Sequence, residues 1–192
     1  DDVLKHLDEG WDLLIAHPPC TYLSVSGLHW NKRNLERAKK TEEAISFVKI
    51  FMSANVKHIA IENPVGCLSS VVRKPEQIIN PFQFGADASK KTCLWLKNLP
   101  ILKPTQYVEP RIVDGKKRWA NQSDDGQNVV YNSEGKMVGW NTDEIKLLRS
   151  KTYPGIAKAM ATQWSEYLTK LNDGNDGIPP KPKVLGILPT IT

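Results

Sequence analysis

"DLLIAHPPCTYLS", residues 12 to 24, decides how the chain folds. Its run from Asp12 to Ala16 is short, mostly apolar and bounded by Gly10 on one side and by Pro18 and Pro19 on the other. Such a run reads as a buried parallel strand. The two prolines stiffen the turn behind it, so the direction of the Cys20 thiol is expected to be set in advance. A nucleophile gains from that alignment. A small buried hydrophobe, the fate of most lone cysteines, has no use for it. On position alone both readings of Cys20 stand.

Working outward, Asn34 is a plausible N-cap for a helix reaching Ala54. Leu35, Ala38, Ala44, Ile45, Val48, Phe51 and Met52 are expected on its buried side, with Glu36 placed four before Lys40 on the other. "HIAIENPVG", residues 58 to 66, then repeats the first theme: a short apolar strand ending on a polar residue and a proline. Strand, helix and strand in this order predict a βαβ unit with a right-handed crossover. In open parallel sheets ligands collect beyond the carboxyl ends of the strands, so Cys20 and Glu62 are expected on opposite lips of one crevice.

Past Gly66 the pattern changes. "QIINPFQFG" and "KKTCLWLKNLPIL" read as shorter strands, and "NVVYNSEGKMVGW", residues 128 to 140, carries a hairpin signal around Asn132 to Gly135. An irregular β-rich region is expected between about Phe82 and Trp140. A last helix is expected from Pro154, burying Ile156, Met160, Trp164, Tyr167 and Leu171 and stopping at "NDGNDG". The proline-rich end, "IPPKPKVLGILPTIT", reads as an extended tail.

At 192 residues, with 40% hydrophobic and 24% charged residues, the chain suits one α/β domain or one domain with a small appendage. Cys20, Cys67 and Cys93 form no CxxC pair, and with His17 and His58 they show no metal-ligand spacing, so neither a disulfide framework nor a metal is expected. No apolar run has membrane length and the first ten residues do not resemble a signal peptide, which predicts a cytoplasmic protein. The net charge of +5 is unevenly placed. Residues 71 to 120 hold ten Lys and Arg against four acids, whereas residues 121 to 145 hold five acids against Lys136. A basic block suits a polyanion, although an ordinary solvated face would look the same.

Glu62 sharpens the chemistry. A carboxyl group at the end of a buried strand is costly unless paired or used, and its protonated form can donate to a ring nitrogen. A thiolate adds to an electron-poor pyrimidine more readily when the neighbouring ring nitrogen is protonated or hydrogen-bonded. Cysteine with glutamic acid is therefore a sensible pair for activating C5 of cytosine.

These segments resemble the DNA cytosine-5 methyltransferase family, most nearly its small phage-borne members. "DLLIAHPPCTYLS" is similar to the family's proline-cysteine segment and "IENPVG" to its glutamate-asparagine segment, in the expected order. "FGADASKKTCLWLKNLPIL" is similar to the segment bearing basic residues toward the target base, and "SKTYPGIAKAMATQW" to the final helix and its cofactor loop. The resemblance implies an α/β fold, a partial Rossmann-like core with a doubly wound, mostly parallel sheet. That core would take residues 1–75 and 146–172, with a small β-rich DNA-contacting region at 76–145 and the tail at 173–192. It implies S-adenosylmethionine as cofactor and duplex DNA as partner, in a bacterial or phage-infected cell, with the cytosine swung out of the stack. Cys20 would attack C6, and Glu62 would hold N3 and the exocyclic amine. Lys91 would complete the catalytic set, and Lys90 would lie near the base or its phosphate, where arginines are more usual. Pro19, Ser24, Asn63, Arg111, Lys117 and Arg118 would serve the DNA side, and Asp2, Pro18, Ser150 and Thr152 the cofactor.

The family's glycine-rich cofactor loop, which should precede these segments, has no counterpart here; "DDV" resembles only the later acidic position that meets the adenine. The expectation is a fragment, half of a split enzyme completed by an upstream segment or complementary subunit, or a degenerate relative that binds without methylating. Three alternatives stay open: a pyrimidine C5 enzyme acting on free nucleotide, a non-catalytic DNA-binding or decoy module, and an amino-group methyltransferase. The first would want phosphate-gripping arginines, and the chain has few; the last would want an aromatic residue where Cys20 stands.

Overall fold

A computed structural model describes residues 2–130, 134–137, 152–172 and 181–187. Its centre is a five-stranded mixed sheet in the order β3-β4-β2-β1-β7, which makes the fold mixed α/β. The strands are β1 (Leu13–Ala16), β2 (His58–Pro64), β3 (Gln77–Ile79), β4 (Thr92–Lys97) and β7 (Val184–Ile187). A two-stranded hairpin, β5 (Arg111–Val113) with β6 (Lys116–Arg118), stands apart from it.

The opening strand-helix-strand unit forms as the pattern predicts. β1 and β2 pair in parallel, with Ala16 opposite Ile61, and α2 (Leu35–Ser53) links them. The Asn34 side chain caps α2 by accepting from the Arg37 N–H, and Glu36 pairs with Lys40 at 2.9 Å. Val48 and Phe51 are buried, but Leu35 is 86% exposed. Its place on the buried side goes to Thr41, whose hydroxyl meets the carbonyls of Tyr22 and Arg37.

Alternation along the strands sorts two cores. Leu14, Ala16, Ile59 and Ile61 join Val48 and Phe51 of α2 on one face. Leu13, Ala60, Leu94 and Leu96 meet α4 (Pro154–Asn172) through Ile156, Met160 and Trp164 on the other. In α4 the buried face continues to Leu168, while Leu171, expected there, is 50% exposed on the last turn. Two short helices, α1 (Val25–Leu28) and α3 (Leu68–Val71), follow the loops after β1 and β2.

Three expectations need correction. The sheet is not mostly parallel, because β4 runs antiparallel to both β2 and β3. β3 and β4 are strands of this sheet, although the 76–145 boundary set them in a separate β-rich region. The 173–192 segment is not all a tail apart from the core: Val184–Ile187 forms β7, parallel to β1, where it pairs with β1's outer edge. Lys183 secures this strand, since its N–H donates to Asp12 Oδ2 and its ammonium lies 4.3 Å from the Trp11 ring centroid. Residues 131–133 and 138–140 of the anticipated 128–140 hairpin lie outside the described residues; Asn128 itself bridges to Gln122.

Candidate active site at the carboxyl ends of β1 and β2

The thiol of Cys20 sits on a turn made by its own backbone. The N–H groups of Leu23 and Ser24 both donate to the Cys20 carbonyl at 3.0 Å. That turn is clasped to the loop after β2: Val25 N–H donates to Val65, Cys67 N–H donates to Leu23, and Ser24 bridges to Gly66. The contact is so close that a Cβ on Gly66 would lie 1.9 Å from the Leu23 carbonyl oxygen. Only glycine fits. Beneath the clasp Asn63, 1% exposed, donates through Nδ2 to the Pro18 carbonyl at 2.8 Å. Asn63, which the resemblance gives to the DNA side, therefore ties one strand end to the other from the interior.

Cys20 is half-buried, as is Cys67, whereas Cys93 is buried. The other two thiols are less suited to attack. Burial pushes the Cys67 thiol up, and burial followed by the nearby Glu62 charge pushes Cys93 up.

One residue past the Ala16–Ile61 pair, His17 and Glu62 stand side by side on the α4 side of the sheet. His17 Nδ1 lies 3.0 Å from Glu62 Oε2 and 3.4 Å from the Thr152 hydroxyl, which precedes α4. The side chains are 9% and 17% exposed, so the pair is shielded but not sealed. Glu62 Oε1 makes no hydrogen bond among the described residues. His17 was not singled out as a site residue in the sequence. Its signal was positional: it occupies the first place after β1, as Glu62 does after Ile61.

Because β4 runs antiparallel to β2, its first residue, Thr92, pairs with Pro64. Lys90 and Lys91 therefore enter the sheet at the same end as Glu62. Lys91 is exposed; the Lys90 carbonyl accepts from the Thr92 hydroxyl. The segment before them is stitched to the β5–β6 lobe, since Asn121 accepts from the Ser89 N–H at 2.8 Å and donates back to the Ser89 carbonyl at 3.0 Å. A stacked Phe82–Trp119 pair, 4.3 Å between ring centroids, packs that lobe.

The lobe's arginines are engaged inside it. Arg111 donates to the carbonyls of Trp119 and Gln122 and to Asp124, and Arg118 donates to the carbonyls of Asp124 and Lys117. In the same basic stretch Arg73 binds Glu76 and the Leu96 carbonyl, and Lys97 reaches the carbonyls of Ala54 and Val56. Lys116 and Lys117, exposed on β6, have no side-chain partner among the described residues and remain available to an anion.

The cofactor candidates divide. Thr152 and Pro18 stand with His17 and Asn63 at the strand ends. Asp2 does not join them: it caps a turn, Val3–His6, that packs through Val3 and Leu4 against the α2-side core. Ser150 lies outside the described residues. Pro19 and Ser24, which the resemblance gives to the DNA side, flank Cys20 on either side of its turn. Among the described residues no group of three or more His, Cys, Asp and Glu converges to hold a metal, and no helix is long and apolar enough to cross a membrane.

No family model matches the chain, and no curated protein or solved structure matches it.

Proposed function

We propose that this chain bears the base-activating half of a DNA cytosine-5 methyltransferase on a partial Rossmann-like core. The observation that carries the reading is the clasp: Cys20 on a rigid turn after β1, bound through backbone and Asn63 to the loop that follows Glu62 on β2. The two groups that cytosine chemistry requires are thus held on adjoining strand ends.

In this reading the Cys20 thiolate adds to C6 of a flipped cytosine, forming the S–C6 bond. Glu62 delivers a proton to N3, so the C5–C6 electron pair is drawn to C5 without charge building on the ring. Loss of the C5 proton and expulsion of the thiolate restore the aromatic ring. Lys91, at the same end of the sheet, would meet the base or its phosphate, with Lys116 and Lys117 on the duplex backbone. S-adenosylmethionine, when bound, supplies the methyl group that replaces the C5 hydrogen. Of the residues this reading gives to the cofactor, Thr152 and Pro18 stand at the strand ends and would line one side of it, while Asp2 lies with the opposite core. The same observation favours a second reading, a DNA-binding module that keeps the cytosine pocket and lacks a complete cofactor wall.

Trapping separates the two. A duplex carrying 5-fluorocytosine should form a covalent adduct when S-adenosylmethionine is present, and the Cys20→Ser protein should form none. Absence of both an adduct and cofactor binding would leave the module.

A further inference from the structure

Glu62 has one oxygen occupied and one open, and the occupant is a buried histidine. We propose that His17 is a positioning residue that donates its Nδ1 proton to Glu62 Oε2 and so directs the transferable proton to Oε1; this role rests on the cytosine-activating reading of the site.

The register makes the pairing obligatory. Ala16 faces the α2 core, as does its partner Ile61, so the next residue on each strand turns to the α4 side. There the imidazole is held between strand and helix, 3.0 Å from the carboxyl and 3.4 Å from the Thr152 hydroxyl. A neutral imidazole carries one N–H. Were it on Nε2, the Nδ1 lone pair would face the carboxylate lone pairs, unless Glu62 held its own proton on Oε2, turned away from any ligand. With the proton on Nδ1, Oε2 accepts whether Glu62 is neutral or charged. The carboxylic proton then resides on Oε1, the edge without a hydrogen-bond partner among the described residues. As that proton moves to the ring nitrogen, the charge left on Glu62 already has a donor in place, with no rearrangement.

Two measurements test this. The first needs no activity: in the full chain with 15N-labelled histidine, the His17 signal at neutral pH should show a protonated Nδ1 and an unprotonated Nε2. The opposite tautomer overturns the proposal. The second is exchange of the cytosine C5 hydrogen with solvent in duplex DNA, which uses only Cys20 and Glu62. His17→Ala should slow exchange at saturating DNA by roughly 100-fold, the low end of what a positioned proton donor contributes. His17→Asn, whose side-chain N–H can stand where Nδ1–H stood, should restore most of it, with duplex affinity unchanged in both. Exchange in His17→Ala within about twofold of wild type, or no rescue by a folded His17→Asn, overturns the role. If the wild-type chain shows no exchange at all, the cytosine reading falls, and the tautomer still decides whether His17 holds Glu62 in this way.

Discussion

The Cys20 clasp and the β5–β6 lobe are both polar surface structures, and they are held together in opposite ways. In the clasp, main chain binds main chain for the most part: Leu23 and Ser24 donate to Cys20, Val25 to Val65 and Cys67 to Leu23, with side-chain bonds added by Asn63 to Pro18, Thr41 to Tyr22 and Arg37 to Thr21. The chemistry-bearing groups, the Cys20 sulfur and Glu62 Oε1, are left unengaged by that framework. In the lobe, side chains bind main chain. Arg111 and Arg118 sit directly opposite on the two strands, an arrangement of like charges that would repel, and each guanidinium is drawn away onto carbonyl oxygens of the following loop. A cation written in the sequence is therefore not always a cation offered to a partner.

Gly66→Ala should break this contrast most forcefully. The new methyl would meet backbone, which cannot swing aside, so stability should fall by about 1–3 kcal/mol and the Cys20 turn should lose its alignment. Thermal unfolding together with 5-fluorocytosine trapping reads both effects; an unchanged midpoint with full trapping would show that the clasp is not rigid.

A smaller effect sharpens the lobe's side of the comparison. Arg111→Ala removes the donor to the Gln122 carbonyl and one of the two donors to the Trp119 carbonyl, and should cost about 1 kcal/mol. Lys117→Ala should leave the unfolding midpoint where it was and reduce the salt dependence of duplex binding by about one unit of slope. If Arg111→Ala proved neutral to stability while weakening DNA binding, the division between structural and available cations would be wrong.

The smallest effect lies away from both regions, on the loop that joins α3 to β3. Burial pulls the Glu76 carboxyl up, but the Arg73 hydrogen bond, the Leu96 N–H and the Arg73 charge outweigh it and hold Glu76 below its ordinary range. A depressed carboxyl contributes stability above its unfolded pKa of about 4.3 and loses it as pH falls from there through the lower folded value. Acid titration of unfolding should therefore show a weaker loss below about pH 4.3 in Glu76→Gln than in the wild type. Identical acid limbs would remove this contribution.

Much of the fold was legible because local rules coincide with the global ones. Asn34 caps where a cap was expected, Glu36 finds Lys40, and the apolar runs at 13–16 and 58–61 become strands because runs this short and apolar suit a sheet buried on both faces. Leu35 and Leu171 misled, since helical period says which side a residue faces but not whether the sheet reaches far enough to cover the first and last turns. β7 was read as tail for a different reason: Val184, Leu185 and Ile187 are apolar enough for a strand, but the prolines on either side read as extended chain, and only the open edge of β1 gives the run its place. In the site, Cys20 and Glu62 were readable from their place at strand ends. His17 was not, because its partner on β2 and the helix that flanks it are remote in sequence.

By itself the sequence determined the chemical inventory: a cysteine behind two prolines, a carboxyl at a strand end, and the βαβ unit that makes those ends neighbours, all consequences of short-range periodicity and proline stiffness. Tertiary structure alone decided which cations stay available, which oxygen of Glu62 remains open, and which strand completes the sheet. Those outcomes depend on hydrogen-bond partners brought from distant parts of the chain, and no local pattern encodes who arrives first at a carbonyl.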